Sequence, residues 1–216
     1  MKNSFNVVTA YLKNNRGIGK NNNLPWKHIK KDMNRFTNIT TSTFDAVKTN
    51  SVIMGRKTWE SLPNKFKPLP NRKNIVVSKT LTDIENVKVC SSLTKALNYS
   101  YSLPEVESTF VIGGSSIYTT ALKRYDIDNL YVTEVDRQLD ADTFFPDIPD
   151  WMNVIREDAE DDLIFKTYTN SITDPNSEEN QYLKTMRRIL DEGEVIKDRT
   201  GVGTLSVFDT NSLYLI

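Results

Sequence analysis

Short, nearly continuous apolar runs separated by helical patterns are the feature that most restricts the fold of this chain. Several runs show no polar alternation, so each would be a strand buried on both faces, as in a parallel sheet covered by helices. The predicted strands are 5–12, 51–55, 74–78, 87–90 and 108–114, and the predicted helices are roughly 28–40, 56–61, 93–101 and 115–124. This alternation predicts an α/β fold whose central sheet is mostly parallel.

The last part of this region follows a different pattern. Residues 129–135 and 163–169 alternate apolar and polar side chains, and 151–157 is a third candidate strand. Such alternation is typical of strands with one solvated face and favours antiparallel pairing. The fold prediction is therefore α/β, with a mixed, mostly parallel central sheet flanked by helices and an antiparallel C-terminal strand pair.

Composition excludes several classes of protein. Lys and Arg together number 28, as do Asp and Glu, so no net charge attracts the chain to nucleic acid or anionic lipid. No apolar run approaches about 20 residues, the length that a membrane-spanning helix needs. Cys90 is the single cysteine, which excludes an internal disulfide and indicates a reducing compartment. We therefore expect a cytoplasmic protein that binds neither nucleic acid nor membrane.

A polar segment, TDPNSEEN at 173–180, marks a domain boundary. We predict a first domain over 1–172, a linker over 173–178 and a further segment over 179–216. That segment shows one helical pattern, a turn and a strand. Because about 40 residues bury too little surface to fold alone, it is interpreted as part of a larger domain.

Asp32 stands on the apolar face of the helix predicted over 28–40, since residues three and four apart are neighbours on a helix. The apolar residues of that face are Ile29, Met33, Phe36 and Ile39, and the opposite, solvent face carries Lys30, Lys31, Asn34 and Arg35. A buried carboxylate is costly unless something polar pairs with it. Asp32 therefore either pairs with another part of the chain or binds a ligand in a pocket, whose wall Leu24 and Trp26 would form.

Three predicted strands end in residues that suit phosphate binding. Gly55 and the pair Gly113–Gly114 each lead into a predicted helix, whose unpaired N–H groups attract anions. The polar residues beside the strand ends are Arg56, Lys57, Thr58, Ser78, Lys79, Ser115 and Ser116. Glycine before serine is also an ordinary helix start, so no single end is decisive. Together they favour a dinucleotide with a 2′-phosphate, although the chain lacks the G-x-G-x-x-G of a standard Rossmann site.

The remaining candidate features are less informative. The stretch GIGKNNNLPW at 17–26 is a loop by its glycines and asparagines, and is either a plain surface loop or a mobile lid over the pocket. His28, the single histidine, lies among lysines and is expected in solvent. Cys90 is expected in the core, and no metal site is predicted.

Five motifs resemble the dihydrofolate reductase family, in that family's order, over residues 5 to about 170. They are GIGKNNNLPW with an acid six residues after the tryptophan, VIMGRKTWES, LPNRKNIVVSK, VIGGSSIY and DTFFP. The later stretch NQYLKTMRRILDEGEVIKDRTGVGTLSVF is similar to the start of thymidylate synthase. The chain as a whole resembles the N-terminal part of the bifunctional dihydrofolate reductase–thymidylate synthase of protists and plants, cut off early in the synthase domain.

The resemblance implies reduction of 7,8-dihydrofolate to 5,6,7,8-tetrahydrofolate by NADPH, in support of one-carbon metabolism and thymidylate synthesis. Asp32 would bind N3 and the 2-amino group of the pterin, and Thr133 would hydrogen-bond Asp32. Trp26 and Leu24 complete the implied catalytic residues. Hydride would pass to pterin C6 while N5 is protonated through water.

The resemblance also implies binding residues, and antifolates as ligands. For the substrate they are Asp32, Met33, Phe36, Leu62, Leu69, Arg72, Ile112 and Tyr118, with Arg72 on the glutamate α-carboxylate. For NADPH they are Ala10, Ile18, Gly19, Gly55, Arg56, Lys57, Thr58, Ser78, Lys79, Gly113, Gly114, Ser115, Ser116 and Ile117. In a full-length synthase domain, Arg199 would bind the phosphate of dUMP and the domain would form a homodimer. Synthase activity is not expected here, because the nucleophilic cysteine is missing and Cys90 lies in the reductase region.

Two departures and two alternatives accompany the resemblance. Met33 replaces the phenylalanine or leucine often found beside the acid, which implies altered antifolate binding. The chain is a residue or two longer before GIG, so Thr9 and Ala10 both remain candidates for the contact with the nicotinamide carboxamide. A pyrimidine reductase of riboflavin synthesis shares the fold and NADPH, but the tryptophan-to-acid spacing and Arg72 favour folate. A non-catalytic folate or nucleotide binder is the alternative from another class.

Overall fold

The structure is a computed structural model that describes residues 4–171 and the backbone of two later strands. The helices are α1 Lys30–Thr41, α2 Arg56–Ser61, α3 Leu93–Tyr101 and α4 Ser115–Ala121. The strands are β1 Phe5–Leu12, β2 Gly17–Gly19, β3 Thr49–Gly55, β4 Arg72–Val77, β5 Lys88–Cys90, β6 Val106–Val111, β7 Ile127–Val135, β8 Thr143–Phe144, β9 Met152–Glu160, β10 Leu163–Asn170, β11 Glu194–Lys197 and β12 Gly203–Ser206.

An eight-stranded sheet in the order β5-β4-β3-β6-β1-β7-β10-β9 organises residues 4–170. The first six strands of that order are parallel, and β10 pairs antiparallel with both β7 and β9. This arrangement confirms the predicted fold class. The parallel strands carry the most continuous apolar runs, such as Val52–Met54 in β3, which is fully buried, because helices cover both faces of that half of the sheet.

Three apolar clusters lie within this unit, the smallest of them around Leu12 and Trp26. One is built around Phe5, Ile53, Leu97 and Ile127 and includes residues of α3 and α4. The second contains Val52, Met54 and Val76 and packs against Phe36 and Ile39 of α1. Opposite faces of β3 therefore serve the two clusters, since Ile53 belongs to one and its chain neighbours to the other.

The carboxyl ends of the parallel strands meet at one edge of the sheet. The N–H of Gly55, at the end of β3, donates to the carbonyl of Gly113 beyond β6, at 2.7 Å. The N–H of Ser78, just after β4, donates to the carbonyl of Cys90 in β5, at 2.9 Å. The three predicted strand ends are therefore neighbours, as the parallel topology requires, although β6 ends at Val111 rather than at 114.

A short ribbon of β2 and β8 lies outside the main sheet and was not predicted. Its strands have three and two residues and include two glycines, so neither carries a readable alternation. The chain divides into two units, Met1–Asn170 and Ser171–Ile216. In the second unit, the described backbone consists of β11 and β12, an antiparallel pair.

Candidate active site

Helix α1 presents polar groups where a helix normally presents apolar ones. Its two buried residues are Asp32, 4% exposed, and Thr40, 0% exposed. The apolar residues Met33, Phe36 and Ile39 are only partly buried. The inner face of this helix therefore holds its polar side chains out of water, which is costly unless partners satisfy them.

Thr133 of β7 is the partner of Asp32. Its hydroxyl hydrogen-bonds the carboxylate, and Thr133 itself is 2% exposed. Burial raises the pKa of Asp32, while the Thr133 hydrogen bond and the positive charges of Arg35 and His28 act against that increase. Ala10 of β1 lies in register with Thr133, so it is adjacent to this pair on the sheet. We call Asp32, Thr133, Arg35 and Trp26 the acid site.

Trp26 is buried beside the same end of the sheet. It packs with Leu12, Val135 and Leu163, and Ile29 borders this cluster. Its indole N–H is buried and has no hydrogen-bond acceptor among the described residues. A buried N–H of this kind is available to a polar atom that arrives with a substrate.

Leu24 differs from Trp26 in its environment. Its side chain is 47% exposed, so in this conformation it is largely in solvent. Leu24 and its neighbours belong to the loop after β2, where Asn21 and Asn22 have φ of 51° and 60°. The N–H of Asn21 donates to the Asp142 carboxylate at 2.8 Å, which ties this loop to the segment that leads into β8.

Arg72 is held at the far end of α1 from Asp32. Its Nη1 donates to the Thr40 hydroxyl at 2.7 Å and its Nε to the Pro70 carbonyl at 3.0 Å. The guanidinium also lies 5.6 Å from the centre of the Phe36 ring. Nη2 makes no hydrogen bond with the described residues, so the guanidinium keeps donor capacity for an anion that lies along α1.

The predicted apolar wall separates into two groups. Phe36, Leu62, Leu69 and Ile112 belong to one cluster and so form a continuous surface between α1 and the sheet. Tyr118 instead belongs to the other cluster, and its hydroxyl donates to the Val8 carbonyl at 2.7 Å. This bond fixes α4 to β1 and leaves the Tyr118 phenol buried, with its pKa raised by desolvation.

Gly55, Gly113, Gly114 and Ser78 lie at the carboxyl ends of β3, β6 and β4, and we call them the glycine edge. Gly113 has φ of +120°, a value that L-residues with side chains rarely adopt. A Cβ at Gly114 would lie 3.1 Å from the Thr58 hydroxyl. A side chain at Gly113 or Gly114 would therefore press against the Thr58 or Tyr118 hydroxyl, so both positions favour glycine.

The side chains around the glycine edge are engaged to different degrees. Arg56 forms an ion pair with Glu60 at 2.8 Å, whereas Lys57 and Lys79 are exposed. The Ser78 hydroxyl accepts the N–H groups of Thr80 and Leu81, at 3.1 and 2.9 Å. It therefore closes its own turn, and its proton can be donated to the Thr80 hydroxyl, 3.3 Å away.

The other implied cofactor residues frame the same edge. The Ser115 hydroxyl donates to the Phe144 carbonyl at 2.7 Å, which joins α4 to β8, while Ser116 is exposed and Ile117 is buried. Ile18 and Gly19 lie in β2, which pairs with β8. The β2–β8 ribbon is thus connected to the start of α4 through Ser115.

The remaining predictions concern His28, Cys90, metal binding, membrane spans and Arg199. His28 is exposed and Cys90 is buried, as predicted. In the part of the chain that the structure describes, no cluster of three or more His, Cys, Asp or Glu side chains could hold a metal ion, and none of the helices there has the length and apolar composition to cross a bilayer. Arg199 lies outside the described residues.

Comparison with known proteins decides the family. The family model described as dihydrofolate reductase matches residues 4–173, which include the acid site and the glycine edge. The chain belongs to the dihydrofolate reductase family. The riboflavin-pathway alternative is therefore not retained.

Relatives of two kinds match this dihydrofolate reductase family member. It is 44% identical to dihydrofolate reductase of Schistosoma mansoni, over 73% of this chain and 85% of that protein. It is 42% identical to dihydrofolate reductase of Heliothis virescens, over 67% of this chain and 80% of that protein. It is 33% identical to bifunctional dihydrofolate reductase-thymidylate synthase 2 of Arabidopsis thaliana, over 95% of this chain but only 44% of that protein. The chain spans less than half the length of this bifunctional relative.

Arg35 is the residue of the acid site that sequence reasoning missed. Its neighbours in sequence, Lys31 and Asn34, are exposed, and Arg35 was assigned to the same solvent face. In the structure it is partly buried, and its Nη1 lies 3.1 Å from the Thr133 hydroxyl. A position between the polar and apolar faces of α1 was the available signal, since a long side chain there can reach the sheet.

Proposed function

We propose that this protein reduces 7,8-dihydrofolate to 5,6,7,8-tetrahydrofolate with NADPH. The observation that carries the proposal is the buried Asp32 carboxylate, hydrogen-bonded by Thr133 on the inner face of α1. A structural role alone would leave this carboxylate with a single hydroxyl partner in a low-dielectric site, which is unfavourable. A cationic ring that donates two hydrogen bonds would satisfy it.

The pterin ring of dihydrofolate offers that pattern of donors. Its N3–H and 2-amino group would donate to the two oxygens of Asp32, a bidentate contact that also orients the ring. An ionised Asp32 stabilises the protonated pterin, which is the form that accepts a hydride at C6. The unpaired Trp26 indole N–H would bind a polar atom, such as a water that delivers the proton to N5.

The rest of the folate would extend along α1 toward Arg72. The apolar cluster of Phe36, Leu62 and Leu69 would contact the pterin and benzoyl rings, with Ile112 on the nicotinamide side and Met33 on the exposed side. Arg72 would bind the glutamate α-carboxylate through the donors that Thr40 and Pro70 leave unused.

The glycine edge fits a dinucleotide cofactor, because glycines at strand ends let the backbone approach a phosphate closely. The backbone N–H groups of Gly114, Ser115 and Ser116 would bind the pyrophosphate. Arg56, Lys57, Thr58, Ser78 and Lys79 would bind phosphates, including the 2′-phosphate that distinguishes NADPH from NADH. NADPH supplies the hydride when bound. Either Thr9 or Ala10, in β1, would hold the nicotinamide carboxamide by its backbone, and Ile18 and Gly19 would cover that ring.

Partners and context follow from the same proposal. Antifolates with a 2,4-diamino ring would compete for Asp32.

The resemblance to the bifunctional relatives supports a boundary after residue 172, with 179–216 as the first part of a synthase domain. In that domain Arg199 would bind dUMP, and the domain would form a homodimer. A single, buried Cys90 suits the cytosol, and it cannot serve as the synthase nucleophile from its position in β5.

The decisive assay follows NADPH oxidation at 340 nm on addition of dihydrofolate. We expect turnover by the wild-type protein, and Asp32→Asn should lower it by about 10²–10⁴-fold, because the variant keeps the shape but loses the charge. The dissociation constant for NADPH should not change. Asp140→Asn, which alters an exposed acid, is the matched control. Equal turnover by the Asp32 and Asp140 variants, or no turnover by the wild type, would contradict the proposal.

A further inference from the structure

Arg35 joins α1 to two strands of the sheet. Its Nη1 donates to the Val132 carbonyl at 2.8 Å and to the Thr133 hydroxyl at 3.1 Å, and its Nη2 donates to the Lys166 carbonyl at 3.1 Å. The guanidinium also lies 4.9 Å from the centre of the Phe165 ring. These contacts with β7 and β10 define the plane and position of the guanidinium.

The contact with Thr133 determines which way that hydroxyl points. A threonine hydroxyl has one proton to donate and two lone pairs to accept, whereas a guanidinium only donates. Arg35 therefore occupies a lone pair of the Thr133 oxygen and cannot receive its proton. The proton is left for the Asp32 carboxylate, which Thr133 hydrogen-bonds.

We propose that Arg35 is a positioning residue that acts through Thr133: it directs the Thr133 proton to Asp32 and keeps that carboxylate ionised for a cationic ligand ring. This inference rests on the proposed function and extends it to a residue three positions along α1 from the acid. A hydrogen bond donated to a carboxylate favours the ionised form, and so does a positive charge nearby. Arg35 supplies the second effect directly and the first through Thr133.

The charged groups around Asp32 are few. On its own helix and the preceding segment, Arg35 and His28 lower its pKa, and Thr133 does so from β7. From α4 the buried Tyr118 phenol, whose pKa is raised, faces Asp32 as a neutral group. Arg35 is thus the permanent positive charge in this set, since a guanidinium stays protonated at neutral pH.

The charged groups around Arg35 do not neutralise it. Asp158 and Arg156 of β9 act on its pKa in opposite directions, and Tyr131 of β7 acts in the same direction as Asp158. Asp158 is itself paired with Arg156 at 2.6 Å. Burial lowers the pKa of Arg35, but a guanidinium remains protonated at neutral pH. Its charge is therefore available to Asp32.

The test measures how pH affects the binding of trimethoprim, a 2,4-diaminopyrimidine whose protonated ring pairs with an ionised carboxylate. Between pH 7 and pH 5, Arg35→Gln should lose about tenfold more affinity than the wild type, because Asp32 takes up a proton at higher pH in the variant. Arg35→Lys keeps the positive charge but not the planar guanidinium with its several N–H donors. It should give a smaller loss, and it provides a second measurement if the glutamine variant does not fold.

Arg156→Gln is the matched control, since it removes a neighbouring positive charge that does not contact Thr133. If trimethoprim binding by both Arg35 variants depends on pH as in the wild type, the inference is overturned. Arg35 would then only join the helix to the sheet. So would equal shifts in the Arg35 and Arg156 variants, which would indicate a general charge effect. A wild-type protein that neither binds trimethoprim nor oxidises NADPH with dihydrofolate would instead overturn the proposed function.

Discussion

The acid site and the glycine edge are built in different ways. The acid site consists of side chains from a helix, a loop and a strand, and Asp32, Thr133 and Arg35 are linked by hydrogen bonds. The glycine edge consists mainly of backbone, placed where parallel strands end, and its charged side chains are exposed or paired elsewhere. We therefore expect substitutions in the acid site to change catalysis, and substitutions at the glycine edge to change cofactor affinity and stability.

Apart from the loss of Asp32 itself, Thr133→Val should produce the largest loss of catalysis without a loss of cofactor affinity. Valine keeps the shape of threonine but removes the hydroxyl that joins Asp32 to Arg35. A hydrogen bond to a charged group is worth about 1.5–3 kcal/mol, so kcat/KM for dihydrofolate should fall about 10–100-fold. Steady-state kinetics give this value, and the dissociation constant for NADPH is the internal control. Comparable losses in both quantities would mean that the two sites are not separable.

Gly113→Ala tests the glycine edge by its backbone. Alanine at φ of +120° is strained, at a cost of about 1–3 kcal/mol, and its Cβ would reach the Tyr118 and Thr58 hydroxyls. We expect a lower melting temperature and about tenfold weaker NADPH binding by fluorescence titration. Thr120→Ala, which removes an exposed side chain of α4 outside the implied cofactor residues, is the control. Equal affinities for the two variants would show that close backbone approach is not needed here.

The cations of the glycine edge should act on one cofactor only. Removing Arg56 and Lys79 together should weaken NADPH binding by about tenfold and leave NADH nearly unchanged, because only NADPH carries the 2′-phosphate. The Glu60 partner of Arg56 already offsets part of its charge, so most of the loss should come from Lys79. Lys123→Gln, an exposed lysine two residues beyond the end of α4, provides the control. An equal loss for both cofactors would place these cations on the shared pyrophosphate.

The fold was predictable because its main signals are local. Continuous apolar runs predicted buried parallel strands, and the glycines that follow them predicted a shared edge. Asp32 was found because it interrupts an apolar stripe, a conflict between local pattern and chemistry of the kind that functional sites produce.

The unpredicted features depend on contacts between distant parts of the chain. Arg35 was assigned to solvent because a helical pattern gives the direction of a Cβ, not the reach of a long side chain. The β2–β8 ribbon joins segments over 120 residues apart, such as Asn21 and Asp142, and its strands are too short to show a period. The ion pair of Arg56 with Glu60 is an exception. It follows the i, i+4 rule, so it could have been predicted from the sequence.

The smallest predicted effect concerns stability, which the buried charge of Asp32 should lower. Burial raises the pKa of Asp32 in the native state above its unfolded value, so the native protein loses stability as pH rises from the unfolded pKa through the native one. Asp32→Asn removes that titration and keeps an acceptor for Thr133. It should therefore raise the melting temperature by about 3 °C at pH 7, the shift that about 1 kcal/mol gives in a domain of this size. The gain should shrink as pH is lowered, because protonation of Asp32 in the wild type removes its buried charge. Scanning calorimetry at pH 4, 5, 6 and 7 checks both statements, with Asp140→Asn as the exposed control. A gain of the same size at every pH would show that it comes from packing and not from the buried charge.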